Sequence, residues 1–372
     1  MDFFRTPPRK EIIMRKHLFA LIFSIVVLNF TSSLSEGAFF RPDIRPGYGV
    51  TKQAWLSDYF APLRGTNMDA PVFILDSGKP GITGLAIGGT HPRELAGYTA
   101  ATILVENVTM ARGRLVVIPY ANSSAFSIRD QESRIPRFHP IESRSGTRLL
   151  PYGDRRTDIR DQGVPDPTEY THPSGQVIKD GRESRNLNRV YPGRPDGTPT
   201  EQLAHAIIEL IRAEKVDFSV DFHEANTPEY YINKKGEIEK GGRLAYMLVC
   251  NPKGVDVGAT AVLEMSEETG ISMKLEQSDA AFRGLSHLEI GNATDCVSFL
   301  TESPNPGQDM WRENPDVMND IKYSLEHRVA LNLSIFRIIA DSFALFHEIE
   351  FEMERYPAFS DIIGKGVGAF LN

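Results

Sequence analysis

Apolar residues recur in short unbroken runs and in helical stripes, and the two patterns alternate along most of the chain. Val72 to Leu75, Gly84 to Ile87 and Leu115 to Tyr120 are runs of strand length, each expected to be buried. Between the last two, residues 94–108 place Leu95, Tyr98, Ala101, Val105 and Val108 at helical spacing. The order strand, helix, strand predicts a crossover unit in a largely parallel sheet. Residues 200–214 carry Leu203, Ile207, Ile208 and Ile211 on one stripe, with Thr198 or Thr200 as the cap. Residues 216–222 alternate as Val-Asp-Phe-Ser-Val-Asp-Phe and predict a strand. Another strand is expected over 244–250, a helix over 257–269 and a short strand over 298–300. Residues 317–346 predict one long helix or two shorter ones. The fold class expected is α/β, with a mixed, largely parallel central sheet and helices on both faces.

One segment breaks the alternation. Residues 129–185 are rich in Arg, Pro, Gly, Asp and Ser and show little periodicity. They are expected to form a loop-rich insert within a single domain over 39–372 that ends in helices. A stretch this long without regular structure is usually functional or flexible.

The first 38 residues carry a different message. Arg5, Arg9, Lys10, Arg15 and Lys16 precede an apolar run from Leu18 to Phe30, and small or polar residues follow to Ala38. Basic, apolar, small is the layout of a signal for export, or of an N-terminal anchor if it is not removed. The expected setting is periplasmic or secreted, with membrane contact only through that segment. Cys250 and Cys296 are too few for a disulfide framework. They are read as a pair that export would permit, or as two buried thiols. The net charge of -8 and the lack of a lysine-rich tract exclude a general nucleic-acid binder.

Candidate chemistry gathers where apolar runs stop. His91-Pro-Arg-Glu94 follows Gly84-Leu-Ala-Ile-Gly-Gly-Thr. An imidazole and a carboxylate three residues apart can converge on one metal ion; the plainer alternative is a surface histidine beside a helix-start glutamate. His223 ends the alternating strand and supplies a third ligand, which leaves one position open, as catalytic zinc sites require. Asp221 shares a face with His223 and is placed either to orient it or to meet solvent. Asn188-Arg189 lies just before a Pro-Gly turn, and arginine forks onto carboxylates. Glu302 closes the run Val-Ser-Phe-Leu-Thr; burial there raises a carboxyl toward the range of a useful base.

His91-x-x-Glu94, Asn188-Arg189, His223 and Glu302, in this order, resemble the zinc carboxypeptidase superfamily. They look closest to its succinylglutamate desuccinylase/aspartoacylase branch. The stretch from Asn188 to Ala204, Asn-Arg-Val-Tyr-Pro-Gly-Arg-Pro-Asp-Gly-Thr-Pro-Thr-Glu-Gln-Leu-Ala, is particularly like that branch, and the likeness covers roughly residues 70 to 305. The resemblance implies one zinc ion per chain held by His91, Glu94 and His223. It implies Asn188 and Arg189 on a substrate carboxylate, Glu302 as general base, and a further arginine polarising the scissile carbonyl, for which Arg182 is chosen over Arg185. Pro92-Arg93 departs from the branch and is more like true carboxypeptidases. Those enzymes also use a tyrosine, for which Tyr230 and Tyr231 are candidates. The expected activity is hydrolysis of an amide beside a free carboxylate, in an N-acyl amino acid. The alternatives are release of a C-terminal residue from a peptide, cell-wall peptides being one case, and a non-catalytic exported binding protein of the same fold. The oligomeric state is not legible.

Overall fold

The computed structural model describes residues 39–130, 133–233 and 235–372. The expected signal or anchor over 1–38 lies outside the described residues. Eight strands form the central sheet: β1 (Lys52–Trp55), β2 (Pro71–Asp76), β3 (Thr83–Ile87), β4 (Arg114–Ile118), β5 (Phe218–Ala225), β6 (Met247–Cys250), β7 (Lys274–Gln277) and β8 (Val297–Pro304). Their spatial order is β1-β2-β4-β3-β5-β8-β6-β7. The middle four, β4, β3, β5 and β8, run parallel. On either side β2 and β6 join them antiparallel.

The larger helices are α1 (Leu95–Asn107), α2 (Pro199–Glu214), α3 (Val255–Thr269), α4 (Ser286–Ala293), α5 (Leu325–His347) and α6 (Phe359–Lys365). Strand alternation decides which face each one covers. Phe73, Leu75, Leu115, Val117, Val220 and Phe222 pack with α1, α3 and α5 on one side. Val72, Ile74, Leu85, Ile87, Val116 and Ile118 pack with α2 on the other. Burying both faces of a parallel sheet in this way makes its strands read as continuous apolar runs. The unit β3, α1, β4 is the expected crossover, since β3 and β4 are parallel neighbours.

Several boundaries shift, each for a visible reason. The strand expected to reach Tyr120 stops at Ile118, because Pro119 has no N–H to give the ladder. The strand expected from Val216 begins at Phe218, since Val216 N still bonds Ile211 O at the end of α2. The helix expected from 317 starts at Leu325, capped by the Ser324 side chain; Val317 is a core residue outside it. For α2 the cap is Thr198, in a reciprocal box with Glu201. Residues 129–185 hold more structure than expected. Phe138–Ser143 pairs with Gly146–Pro151, and Tyr170–Thr171 with Val177–Ile178. Prolines at 140 and 151 hide the first hairpin's alternation. Cys250 and Cys296 are both free and buried.

A fully buried ion pair ties α5 to the sheet: Arg328 Nη1 lies 2.5 Å from Glu224 Oε1, and both side chains are 0% exposed. Removing one partner of such a pair costs roughly 3–5 kcal/mol.

Candidate metal centre

Three side chains converge at the C-terminal ends of the parallel strands, where open α/β sheets bind ligands. Beyond β3, Gly88 and Gly89 carry the chain round to His91. A Cβ on Gly88 would stand 2.8 Å from Gly97 O and Tyr98 Cα, and Gly89 has φ of +71°. Only glycine fits both places. Glu94 is the N-cap residue of α1, but its side chain does not cap the helix. Ala96 N donates instead to Glu224 Oε2 at 3.1 Å. The Glu94 carboxylate is turned to the histidines: His91 Nδ1 is 2.8 Å from Oε1, and His223 Nδ1 is 3.0 Å from Oε2. The two rings meet edge to face at 4.7 Å. All three residues are buried, and their candidate ligand atoms lie within 4.8 Å of one another.

Each histidine is held by its outer nitrogen. His91 Nε2 is 2.9 Å from Asn186 Oδ1. His223 Nε2 is 2.9 Å from Asp221 Oδ2, an ion-pair contact rather than an aligned hydrogen bond. Asp221 also accepts from Thr90 Oγ1 and Ser286 Oγ, at 2.9 and 2.8 Å. An acceptor on the outer nitrogen keeps the proton there and turns the inner lone pair to the centre, as metal-binding histidines require. Burial brings the His91 imidazole down to about 4. Burial also opposes charge on His223, but Asp221 and Glu94 outweigh it and lift that ring well above its ordinary range. The same histidines hold Glu94 well below the usual carboxylate range despite its burial. A buried anion with two neutral-capable imidazoles, all facing one point, suits a divalent metal ion.

The group opens on a cavity of about 370 Å³, also lined by Arg155, Asn188, Arg189, His287 and Glu302. Register places Glu302 directly beside His223 on the neighbouring strand. Glu302 Oε2 is buried with no hydrogen-bond partner among the described residues. Burial raises this carboxyl to about 8. Arg189 sits on the short turn Leu187–Arg189; Nη1 donates to Asn188 O at 2.6 Å, and Nε lies 3.6 Å from Glu183 Oε2. Asn188 Oδ1 accepts from Ser286 N at 2.7 Å.

The structure thus brings together His91, Glu94, His223, Asn188, Arg189 and Glu302. It does not bring Arg182 to them. That side chain is 47% exposed and forks onto Asp180, with Nη2 to Oδ2 at 2.9 Å. The arginine in the cavity is Arg155, which makes no side-chain hydrogen bond or ion pair among the described residues. Burial, with Arg189 and Arg93 nearby, brings its guanidinium down to about 10. Tyr230 and Tyr231 belong to a small hairpin and do not line the cavity. Two groups not singled out from the sequence complete the frame. Asn186 bridges His91 and Glu183, its Nδ2 donating to Glu183 Oε2 at 2.6 Å. Glu183 in turn accepts from Arg156 Nη2 at 2.8 Å. Asn186 stands two residues before Asn188-Arg189, so proximity to that pair was its one signal.

No protein-family model matches the chain, and no curated protein matches it. Solved structures similar to it include a succinylglutamate desuccinylase/aspartoacylase from Rhodobacter sphaeroides, at 17% identity over 81% of this chain and 69% of that one, with a TM-score of 0.42. The tripeptide-bound cell shape determinant protein Csd4 from Helicobacter pylori is 12% identical over 74% of this chain, with a TM-score of 0.44. The chain spans about half of that protein, 53% of its length. A metallo-carboxypeptidase from Burkholderia cenocepacia is 12% identical over 78% of this chain and 68% of that one, with a TM-score of 0.43. What the site can do follows from its own residues.

Proposed function

We propose that the protein is a zinc-dependent hydrolase of an amide bond next to a free carboxylate. The observation that carries this reading is the pairing of His91, Glu94 and His223 with a buried, unpartnered Glu302 carboxylate oxygen in one cavity. His91, Glu94 and His223 would hold zinc, which when bound would supply an activated water near neutral pH and a Lewis acid for the carbonyl. Glu302 takes a proton from the attacking water and later delivers it to the leaving amine, so the water's two hydrogens end on the new acid and the released amine. Asn188 and Arg189 hold the substrate's free carboxylate and fix its register against the reacting centre. Arg155, not Arg182, stabilises the negative charge that develops on the carbonyl oxygen. That it makes no hydrogen bond or ion pair among the described residues supports this role, because the guanidinium is left to face the substrate.

Deacylation of an N-acyl amino acid and release of a C-terminal residue from a peptide place the same carboxylate on Arg189. The first is preferred, because the stretch from Asn188 to Ala204 resembles the acyl-amino-acid hydrolases. A screen of N-acyl amino acids and short peptides tests the reading. The chelated protein is expected to be inactive and to regain amide hydrolysis on addition of zinc. Equal hydrolysis with and without the metal would overturn it.

A further inference from the structure

One wall of the cavity is not used by the chemistry above. It comes from β6, β7 and the chain between β7 and α4. Met247, Val249 and Leu300 form a small buried apolar cluster of their own, separate from the two main cores, and all three line the cavity. Their order is fixed by register. Leu300 on β8 pairs with Val249 on β6, and Val249 pairs with Glu276 on β7. Paired residues share a face, so an apolar floor leads across two strand spacings, about 10 Å, from the strand of Glu302 to a carboxylate at Glu276. Asp279, next to Ser278 in the chain, also lines the cavity.

His287 marks this end as a site. It is 8% exposed and lines the cavity. Its Nδ1 lies 2.5 Å from Ser278 Oγ, and that hydroxyl is 2.8 Å from Cys250 O. A hydroxyl has one proton, and a carbonyl can only accept it. Ser278 therefore donates to Cys250 O and accepts from His287 Nδ1. This fixes the tautomer: Nδ1 carries the hydrogen and Nε2 presents a lone pair. Nε2 has no hydrogen-bond partner among the described residues. Burial brings the imidazole down to about 4, so the ring is neutral and the lone pair available. A buried acceptor lining the same cavity as the carboxylates Glu276 and Asp279 selects a positively charged hydrogen-bond donor.

We propose that this wall is a subsite for an aliphatic side chain ending in an amine. The stem crosses Met247, Val249 and Leu300, and the ammonium is held by His287 Nε2, Glu276 and Asp279. The residue released from the amide is then a diamino acid of the lysine or ornithine type. An apolar stem with a cationic head matches such a floor and such an end. The inference rests on the hydrolase reading for which bond is cut, but the subsite itself does not depend on hydrolysis.

The test uses the zinc-loaded full chain and two substrate series, the N-acetyl amino acids and the dipeptides that carry lysine, norleucine or glutamate with a free α-carboxylate. Lysine is expected to exceed norleucine in kcat/KM by at least about 10-fold, and norleucine to exceed glutamate; one charge-assisted contact of 1.5–3 kcal/mol is worth that ratio. Glu276→Lys with Asp279→Asn is expected to invert the order of lysine and glutamate, while His287→Phe lowers the lysine-to-norleucine ratio. Calorimetric binding of free lysine, norleucine and glutamate runs in parallel. If no amide is cut but lysine binds at least 10-fold tighter than norleucine, the hydrolase reading fails and the subsite stands. Equal handling of lysine and norleucine by hydrolysis, or by binding where no amide is cut, overturns the subsite.

Discussion

The cavity has two kinds of wall. His223 and Glu302 stand on neighbouring parallel strands, paired in register, so the sheet alone fixes their separation and their common face. Arg155, Asn186 and Arg189 stand on turns, and long-range bonds fix them. Thr157 N bonds Arg185 O at 2.8 Å, Asp154 N bonds Ala125 O at 3.0 Å, and Arg156 forks onto Glu183. The strand wall holds His223 and the proposed base, while His91 and Glu94 stand on the turn and helix start that follow β3. The turn wall holds the groups proposed to grip and polarise a substrate. The proposed base thus sits on the rigid lattice, and the groups proposed for recognition sit on loops.

This contrast gives each wall its own signature on substitution. On the strand wall, Glu302→Gln keeps the shape and removes the base. It is expected to lower kcat by roughly 10² to 10⁴ while zinc content stays unchanged. Loss of metal along with activity would show that Glu302 serves the metal site instead. On the turn wall, Arg155→Ala is expected to lower kcat by roughly 10² to 10³, the cost of one donor to a developing oxyanion. Arg182→Ala should stay within about 2-fold, since that side chain is half exposed and spent on Asp180. Steady-state kinetics of the two variants side by side decides between the arginines; a larger loss at Arg182 would reverse the assignment.

Effects on metal affinity rather than on turnover fall where the walls meet, at the outer nitrogens of the two histidines. Asp221 holds His223 from the strand wall, and Asn186 holds His91 from the turn wall. Asp221→Asn and Asn186→Ala are each expected to weaken zinc by roughly 10- to 100-fold, read by competition with a chelating dye. Unchanged zinc affinity in both would mean that neither orients its histidine.

The two walls also differ in how far the sequence disclosed them. His91, Glu94, His223 and Glu302 were legible because each follows an apolar run, and a strand's end in a parallel sheet is a position in space as well as in sequence. Asp221 was legible as a residue on the face of His223, through the period of two. That both faces of the sheet are covered was implied by runs such as Leu115 to Ile118, too apolar for a sheet with one wet side. Arg155 was not legible. It lies within the segment of 129–185 that has no periodicity, and its placement comes from partners as distant as Ala125 and Arg185. Arg182 was nearer the Asn188-Arg189 pair in sequence, but Asp180, two residues away, captures it. In such a segment sequence distance says little about spatial distance.

The central claim is that His91, Glu94 and His223 hold a catalytic zinc ion. Elemental analysis of the dialysed protein measures it most directly, with His223→Ala as the companion. The account predicts about one zinc per chain in the parent and essentially none in the variant, with amide hydrolysis lost in step. A parent without zinc, or a variant that keeps it, would contradict the account.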